Sequence, residues 1–157
     1  MIRKSNRRVT LCVVVLCLNI AFIWGNSLLP GEVSGAFSQW VRDLINWILG
    51  LPAKDPEQGH GLLRKIAHFT EFACLGVEIS CLARMLRSKK AEHIALPMAG
   101  GFFTACIDET IQRFVPDRGP GILDVLIDTA GVFVGTILVC FVIYHRKRKM
   151  NKKEKIL

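Results

Sequence analysis

Residues 108–131 read DETIQRFVPDRGPGILDVLIDTAG. The stretch carries Asp108, Glu109, Gln112, Arg113, Asp117, Arg118, Asp124 and Asp128, and apolar sequence long enough to cross a bilayer flanks it on both sides. Ionisable groups at membrane depth are costly, so they turn inward, pair, and mark sites. Upstream, Arg64, His68, Glu71, Leu75 and Glu78 step by four, three, four and three residues. That spacing lays a polar stripe along one helix face, with Phe69, Phe72, Val77 and Ile79 left for lipid or packing. Several chemistries fit these residue types. Grouped carboxylates can hold Mg²⁺ or Mn²⁺. A carboxylate beside His68 can serve as general acid or base. The series His68, Glu71, Glu78 can relay protons. Arg64, Lys65, Arg113 and Arg118 can receive a phosphate or carboxylate. Ser27, Ser80, Thr70 and Thr110 lack a triad-like context, so no nucleophile stands out. The residues alone leave these chemistries open.

The elements that must position these groups are apolar helices. A hydrocarbon core of about 30 Å takes roughly 20 residues at 1.5 Å each. Four segments meet that length: about 9–29, 62–86, 95–115 and 122–144. The first follows a basic head, MIRKSNRR, and is read as an uncleaved anchor. Its apolar run is long for a signal peptide, and the cleavage-like Val33-Ser34-Gly35 lies well past its end. Between the first two spans, residues 33–49 place Val33, Phe37, Trp40, Val41, Leu44, Ile45 and Ile48 at helical spacing. Ser38, Gln39, Arg42, Asp43 and Asn46 fall largely opposite, which predicts an amphipathic helix lying at the interface, with Trp40 and Trp47 at headgroup level. A loop over 50–61 and a turn over 116–121 follow from their Gly, Pro and Asp content. Pro97 sits near the expected start of the third span, where a missing N–H is harmless. Gly131 and Gly135 form a small-xxx-small packing face. The fold class is therefore an all-α integral membrane protein: four transmembrane helices plus one outer-face amphipathic helix, in a single domain over 1–157 with a basic tail at 145–157.

Composition agrees with this. The chain is 51% hydrophobic, and its net charge is +8. Fifteen of the 21 Lys and Arg fall in three clusters, at 3–8, 84–90 and 146–155. Four spans put all three clusters on one side, which the positive-inside rule makes cytoplasmic, together with both termini. No basic folded face is present, so nucleic acid is excluded as a partner. The cysteines, Cys12, Cys17, Cys74, Cys81, Cys106 and Cys140, lie in apolar segments without a CxxC. They read as buried thiols rather than a disulfide framework or zinc site.

Depth brings the charged residues together. Glu71 lies about 13 Å, Asp108 roughly 12 Å and Asp128 about 9 Å from the outer ends of their spans. Glu78 is deeper by two turns. Asp108 shares a face with Gln112, and Asp124 with Asp128, while Glu109 precedes Arg113 by four residues, the favourable order for a pair. Arg64, Lys65, Arg113, Arg118 and Asp124 are expected above them. The result is a polar, outward-opening cavity, with Asp117 and Arg118 on its rim. The competing reading is that these groups only clamp one another and set helix register.

Four segments also resemble the VanZ-like family. They are Arg64-Lys65-Ile66-Ala67-His68-Phe69-Thr70-Glu71-Phe72, then Asp108-Glu109 with Gln112, then Phe114-Val115-Pro116-Asp117-Arg118, then Asp124 through Gly131; Asn26-Ser27 followed by Pro30-Gly31-Glu32-Val33-Ser34 fits as well. The resemblance covers about 9–140. It implies a small integral membrane protein of the Gram-positive cell envelope, in a family with links to teicoplanin-type glycopeptide resistance. It implies characteristic residues at Arg64, Lys65, His68, Glu71, Asp108, Glu109, Gln112, Arg118, Asp124 and Asp128. Asp117 departs from it where glycine is common, and Asp128 where asparagine is frequent. Three functions are expected in order. The first is binding of a lipid headgroup, a lipid-linked wall precursor or a lipophilic glycopeptide, using Arg64, Lys65, Glu71, Gln112, Arg113, Arg118 and Asp124. The second is an enzyme using Asp108, Glu109 and Asp128 with His68. The third is a proton-coupled transporter using His68, Glu71 and Glu78. A divalent cation is compatible with the carboxylates, and membrane lipids are the expected surroundings.

Overall fold

The computed structural model describes residues 2–50, 60–86, 89–119 and 121–154. Residues 51–59 of the expected loop, Arg87, Pro120 and Lys155 lie outside them, as do the side chains of Phe37, Arg42 and Ile45. Five helices follow one another: α1 (Ile2–Ser27), α2 (Gly31–Leu49), α3 (His60–Met85), α4 (Glu92–Gln112) and α5 (Ile122–Glu154). Four contain stretches long and apolar enough to cross a membrane: Arg7–Ser27, Leu62–Met85, Glu92–Gln112 and Ile122–Lys152. No strand occurs among the described residues. The protein is an all-α membrane protein.

Its polarity is inverted relative to a soluble core. Leu11, Leu18, Phe22, Phe103, Leu138 and Phe141 are exposed, while Ser27, Thr104, Asp108, Asp128 and Thr136 are buried. An apolar exterior suits lipid, where the hydrophobic effect does not drive helices together. The buried threonine hydroxyls obey the rule that polar groups in lipid are satisfied internally. Thr104 donates to the Gly100 carbonyl at 2.9 Å and Thr136 to that of Val132 at 2.8 Å. The small apolar core consists of Ile23, Phe72, Leu75, Ala105 and Val132. Phe72, left above for lipid or packing, is fully buried at its centre.

Close backbone approach sets the helix arrangement. A Cβ added at Gly131 would collide with the Phe69 carbonyl, and one at Gly135 with that of Ala73. Gly76 meets the Val132 backbone in the same way, and Gly101 the Val132 side chain. Glycine is needed on both sides of the α3–α5 seam, and van der Waals packing there replaces the missing hydrophobic drive.

Some boundaries shift. α4 begins at Glu92, whose side chain accepts the Lys89 N–H at 3.0 Å. This contact ties the preceding turn to the helix start, which the apolar pattern from Ala95 does not reveal. Pro97 therefore lies inside the helix, where it denies the His93 carbonyl its usual donor. α4 ends at Gln112, and Phe114 and Val115 close into turns on Ile111 and Gln112. α2 ends in a left-handed Gly50, whose N–H reaches the Asn46 and Trp47 carbonyls. Trp40, Leu44, Trp47 and Ile48 of α2 are exposed, as a membrane-lying helix requires. The thiols correct the buried reading: Cys17 and Cys74 are exposed on the helix surface, and all six cysteines are free.

Candidate functional site

The end of α1, the start of α2, the start of α3, the end of α4 and the start of α5 meet at one end of the bundle. Two backbone contacts tie them. Gly31 N–H donates to the Pro116 carbonyl at 3.1 Å, and Gly31 lies so close to the Asp117 carbonyl that no side chain would fit. Asp117 itself has φ 57°. This is the left-handed region where glycine is at ease and aspartate is tolerated. The turn that Pro116 and Asp117 make is thereby pressed onto the N-terminus of α2.

Arg118 completes the joint. Its Nε donates to the Leu29 carbonyl at 3.2 Å and its Nη2 to the Asn26 carbonyl at 2.9 Å, while Nη1 is buried with no partner among the described residues. Burial, and next the charge of Arg64, hold its guanidinium below the ordinary arginine range. Arg118 is thus a buried strut between the turn and α1, not a rim residue. Its reach toward carbonyls three positions apart is invisible in sequence. Asp117 is exposed.

Three helices then deliver the centre. His68 of α3, Asp108 of α4 and Asp128 of α5 are all buried, and one ligand atom from each lies within 4.8 Å of the others. His68 Nδ1 stands 3.8 Å from Asp108 Oδ2 and 4.0 Å from Asp128 Oδ1. The α3–α5 glycine seam makes this possible, because Phe69, next to His68, is the residue that Gly131 packs against. Gln112 donates to Asp108 Oδ2 at 2.8 Å and to Ser27 Oγ at 3.1 Å. The remaining oxygens, Asp108 Oδ1 and Asp128 Oδ2, are buried and accept nothing among the described residues.

A cavity of about 10 Å³ opens beside this centre, lined by Arg64, Lys65, His68, Glu109, Gln112, Asp124, Ile127 and Asp128. It has room for a single water molecule or ion. Lys65 pairs with Asp124 at 3.6 Å, and these side chains are 42% and 21% exposed, against 9% for His68 and 1% for Asp128. The cavity therefore runs from a basic, solvent-reachable lip to a buried acidic floor. Glu109 lines it too, with Oε2 accepting the Gly121 N–H at 2.9 Å just before α5. A carboxylate there also faces the positive end of the α5 dipole.

Other expected residues stand elsewhere. Arg113 is exposed and does not line the cavity, and no ion pair joins it to Glu109 among the described residues. Arg113 keeps helical dihedrals and closes the last turn on the Glu109 carbonyl, but the Glu109 carboxylate is turned to the Gly121 N–H instead. Glu71 turns to α1, where Asn26 Nδ2 donates to Oε1 at 3.4 Å and Oε2 is buried with no partner among the described residues. Glu78 also turns to α1, accepting from Asn19 Nδ2 at 3.1 Å. The stripe on α3 is thus divided between two neighbours. His68 looks toward α4 and α5, and the two glutamates look toward α1, with fully buried Leu75 between them in sequence. Asn19, Asn26 and Ser27 are the residues the charge pattern did not reveal. They are uncharged and sit in an otherwise apolar span, and only the Asn26-Ser27 segment of the resemblance hinted at them.

No curated protein and no solved structure matches the chain. Residues 11–144 match the family described as VanZ/LLP1. That match spans all four membrane helices and every residue of the cavity, and the chain belongs to the VanZ/LLP1 family.

Proposed function

We propose that this membrane protein engages the phosphate of a lipid headgroup or lipid-linked wall precursor at the outer face of the plasma membrane. The observation that carries the reading is the cavity's polarity: Arg64 and Lys65 at the lip, and His68 and Asp128 at the floor with Asp108 beside them. Arginine and lysine at headgroup depth are the usual receivers of phosphate. The cavity's volume favours a small group over a large ligand. About 10 Å³ admits one water or one phosphate oxygen, not the body of a glycopeptide. A role in teicoplanin-type resistance would therefore run through the precursor or headgroup rather than through capture of the drug. In this reading the basic ends at 3–8, 84–90 and 146–155 face the cytoplasm, as the positive-inside rule favours.

The test is native mass spectrometry of the protein in detergent with phosphatidate, a lipid-linked pyrophosphate and phosphatidylcholine. The phosphomonoester or pyrophosphate should bind in preference, and Arg64→Ala with Lys65→Ala should remove the preference. Equal retention of all three lipids by both proteins would sink the reading.

A second reading is favoured by one observation. An imidazole flanked by two buried carboxylates has the makings of a general acid–base pair, so the same site suits hydrolysis of the bound phosphate. Release of inorganic phosphate that is lost in Asp108→Asn, with headgroup binding retained, would establish it. The proton-relay reading has less support, since Glu71 and Glu78 are each held by an α1 amide.

A further inference from the structure

We infer that His68, Asp108 and Asp128 form a binding site for one divalent transition-metal ion, with its open coordination position facing the cavity. This deepens the headgroup reading and rests on it only for what fills that open position.

Four observations converge. The first is the donor set. One imidazole nitrogen and two carboxylates suit Mn²⁺ or Zn²⁺ better than Mg²⁺ or Ca²⁺, which prefer all-oxygen surroundings. The second is distance. Two ligands each about 2.1 Å from a metal are at most about 4.2 Å apart. The separations of 3.8 and 4.0 Å from His68 Nδ1 lie inside that limit. They are too long for direct hydrogen bonds, so the three groups do not satisfy one another. An ion between them would draw each ligand inward by a few tenths of an ångström.

The third is unmet valence. Asp108 is fully buried and Asp128 nearly so, yet the oxygen of each that is not the one measured from His68, Asp108 Oδ1 and Asp128 Oδ2, accepts nothing among the described residues. A buried carboxylate oxygen without a donor is expensive, most of all inside a membrane. Charge gives the same message. Asp108, Glu109, Asp124 and Glu71 all lie near Asp128, and Arg118 stands close to Asp108, Glu109 and Glu71, with Lys65 against Asp124. The fourth is support and access. Gln112 holds Asp108 Oδ2 and is itself anchored on Ser27, as ligand-orienting partners do around metals. The neighbouring cavity, lined by His68 and Asp128, is the size of one water. Three protein ligands plus one open position is the arrangement of a metal that receives a substrate oxygen.

The experiment is metal analysis of the full-length protein purified in detergent without chelator. Elemental analysis should find about one Zn or Mn per chain. After stripping with a chelator, titration with Zn²⁺ and with Mn²⁺ should restore one ion per chain, and Mg²⁺ should not compete at equal concentration. Asp128→Asn should weaken uptake at least tenfold, and Gln112→Ala by roughly tenfold to a hundredfold. Because Asp128→Asn can fail to fold, the Mn²⁺ resonance spectrum of the wild-type protein gives an independent readout. Bound Mn²⁺ should lose the six-line signal of the free ion. Wild-type protein that takes up neither ion, or whose uptake is unchanged in Asp128→Asn, overturns the inference, leaving shared protons to satisfy the carboxylates. The Arg64→Ala, Lys65→Ala protein separates the two proposals. Metal uptake with no headgroup preference in any protein supports the inference and sinks the headgroup reading. Headgroup preference in a metal-free wild-type protein does the reverse.

Discussion

Replacing Gly135 by alanine tests how the fold holds the site, because the substitution touches no polar group. A Cβ there would overlap the Ala73 carbonyl oxygen and come to 2.9 Å from its carbon and 3.1 Å from Val77 N. These are backbone atoms in a continuous helix, so no side chain can rotate away. α5 must move from α3 by about 1 Å to restore ordinary carbon–oxygen contact. Overpacking of this kind costs about 1–3 kcal/mol. Against it stands the better helix propensity of alanine, about 0.8–1.0 kcal/mol. Gly25→Ala isolates that gain, since a Cβ at Gly25 meets nothing within 4 Å. The difference between the two variants in a detergent unfolding titration should therefore be about 1–3 kcal/mol, with Gly135→Ala the less stable. The effect should reach the site as well. Asp128 lies two turns before Gly135, and Gly131 between them packs beside His68. An opened seam lengthens the 4.0 Å between His68 and Asp128, so headgroup preference should weaken in parallel. Equal stability of the two alanine variants, or a destabilised Gly135→Ala that binds normally, would refute the claim that close α3–α5 contact positions the site.

Other expectations follow from single contacts. Arg118→Ala abandons two carbonyls and loosens the turn from α1, costing about 1.5–3 kcal/mol in the same titration, while Arg118→Lys recovers only part. Asp117→Gly should be neutral or slightly stabilising, whereas Asp117→Val should lose about 1–3 kcal/mol, because φ is 57° there. A reporter fused after Lys152 should read as cytoplasmic, and an external reading would overturn the orientation.

The four spans were legible because length and apolarity are one-dimensional properties. Helical rise alone sets Glu71, Asp108 and Asp128 at one depth, but it is His68, not Glu71, that the structure brings against the two aspartates. What lay beyond the sequence was rotation. Charge spacing places Arg64, His68, Glu71 and Glu78 on a stripe, but not which neighbour each part of the stripe faces. The structure splits it, giving His68 to the carboxylates of α4 and α5 and the glutamates to Asn26 and Asn19 of α1. Arg118 was misjudged for a similar reason. Its partners are backbone carbonyls, and these carry no sequence signature. Arg113 stands in helical register with Glu109, but the Glu109 carboxylate accepts the backbone N–H of Gly121, a partner that charge spacing cannot show.

The most direct measurement is an experimental density map of the protein in a nanodisc containing phosphatidate. The account predicts a headgroup phosphate against Arg64 and Lys65, above a floor where His68, Asp108 and Asp128 face one another. A map with His68 turned toward lipid, or with the lip of the cavity closed and the phosphates bound elsewhere, would contradict it.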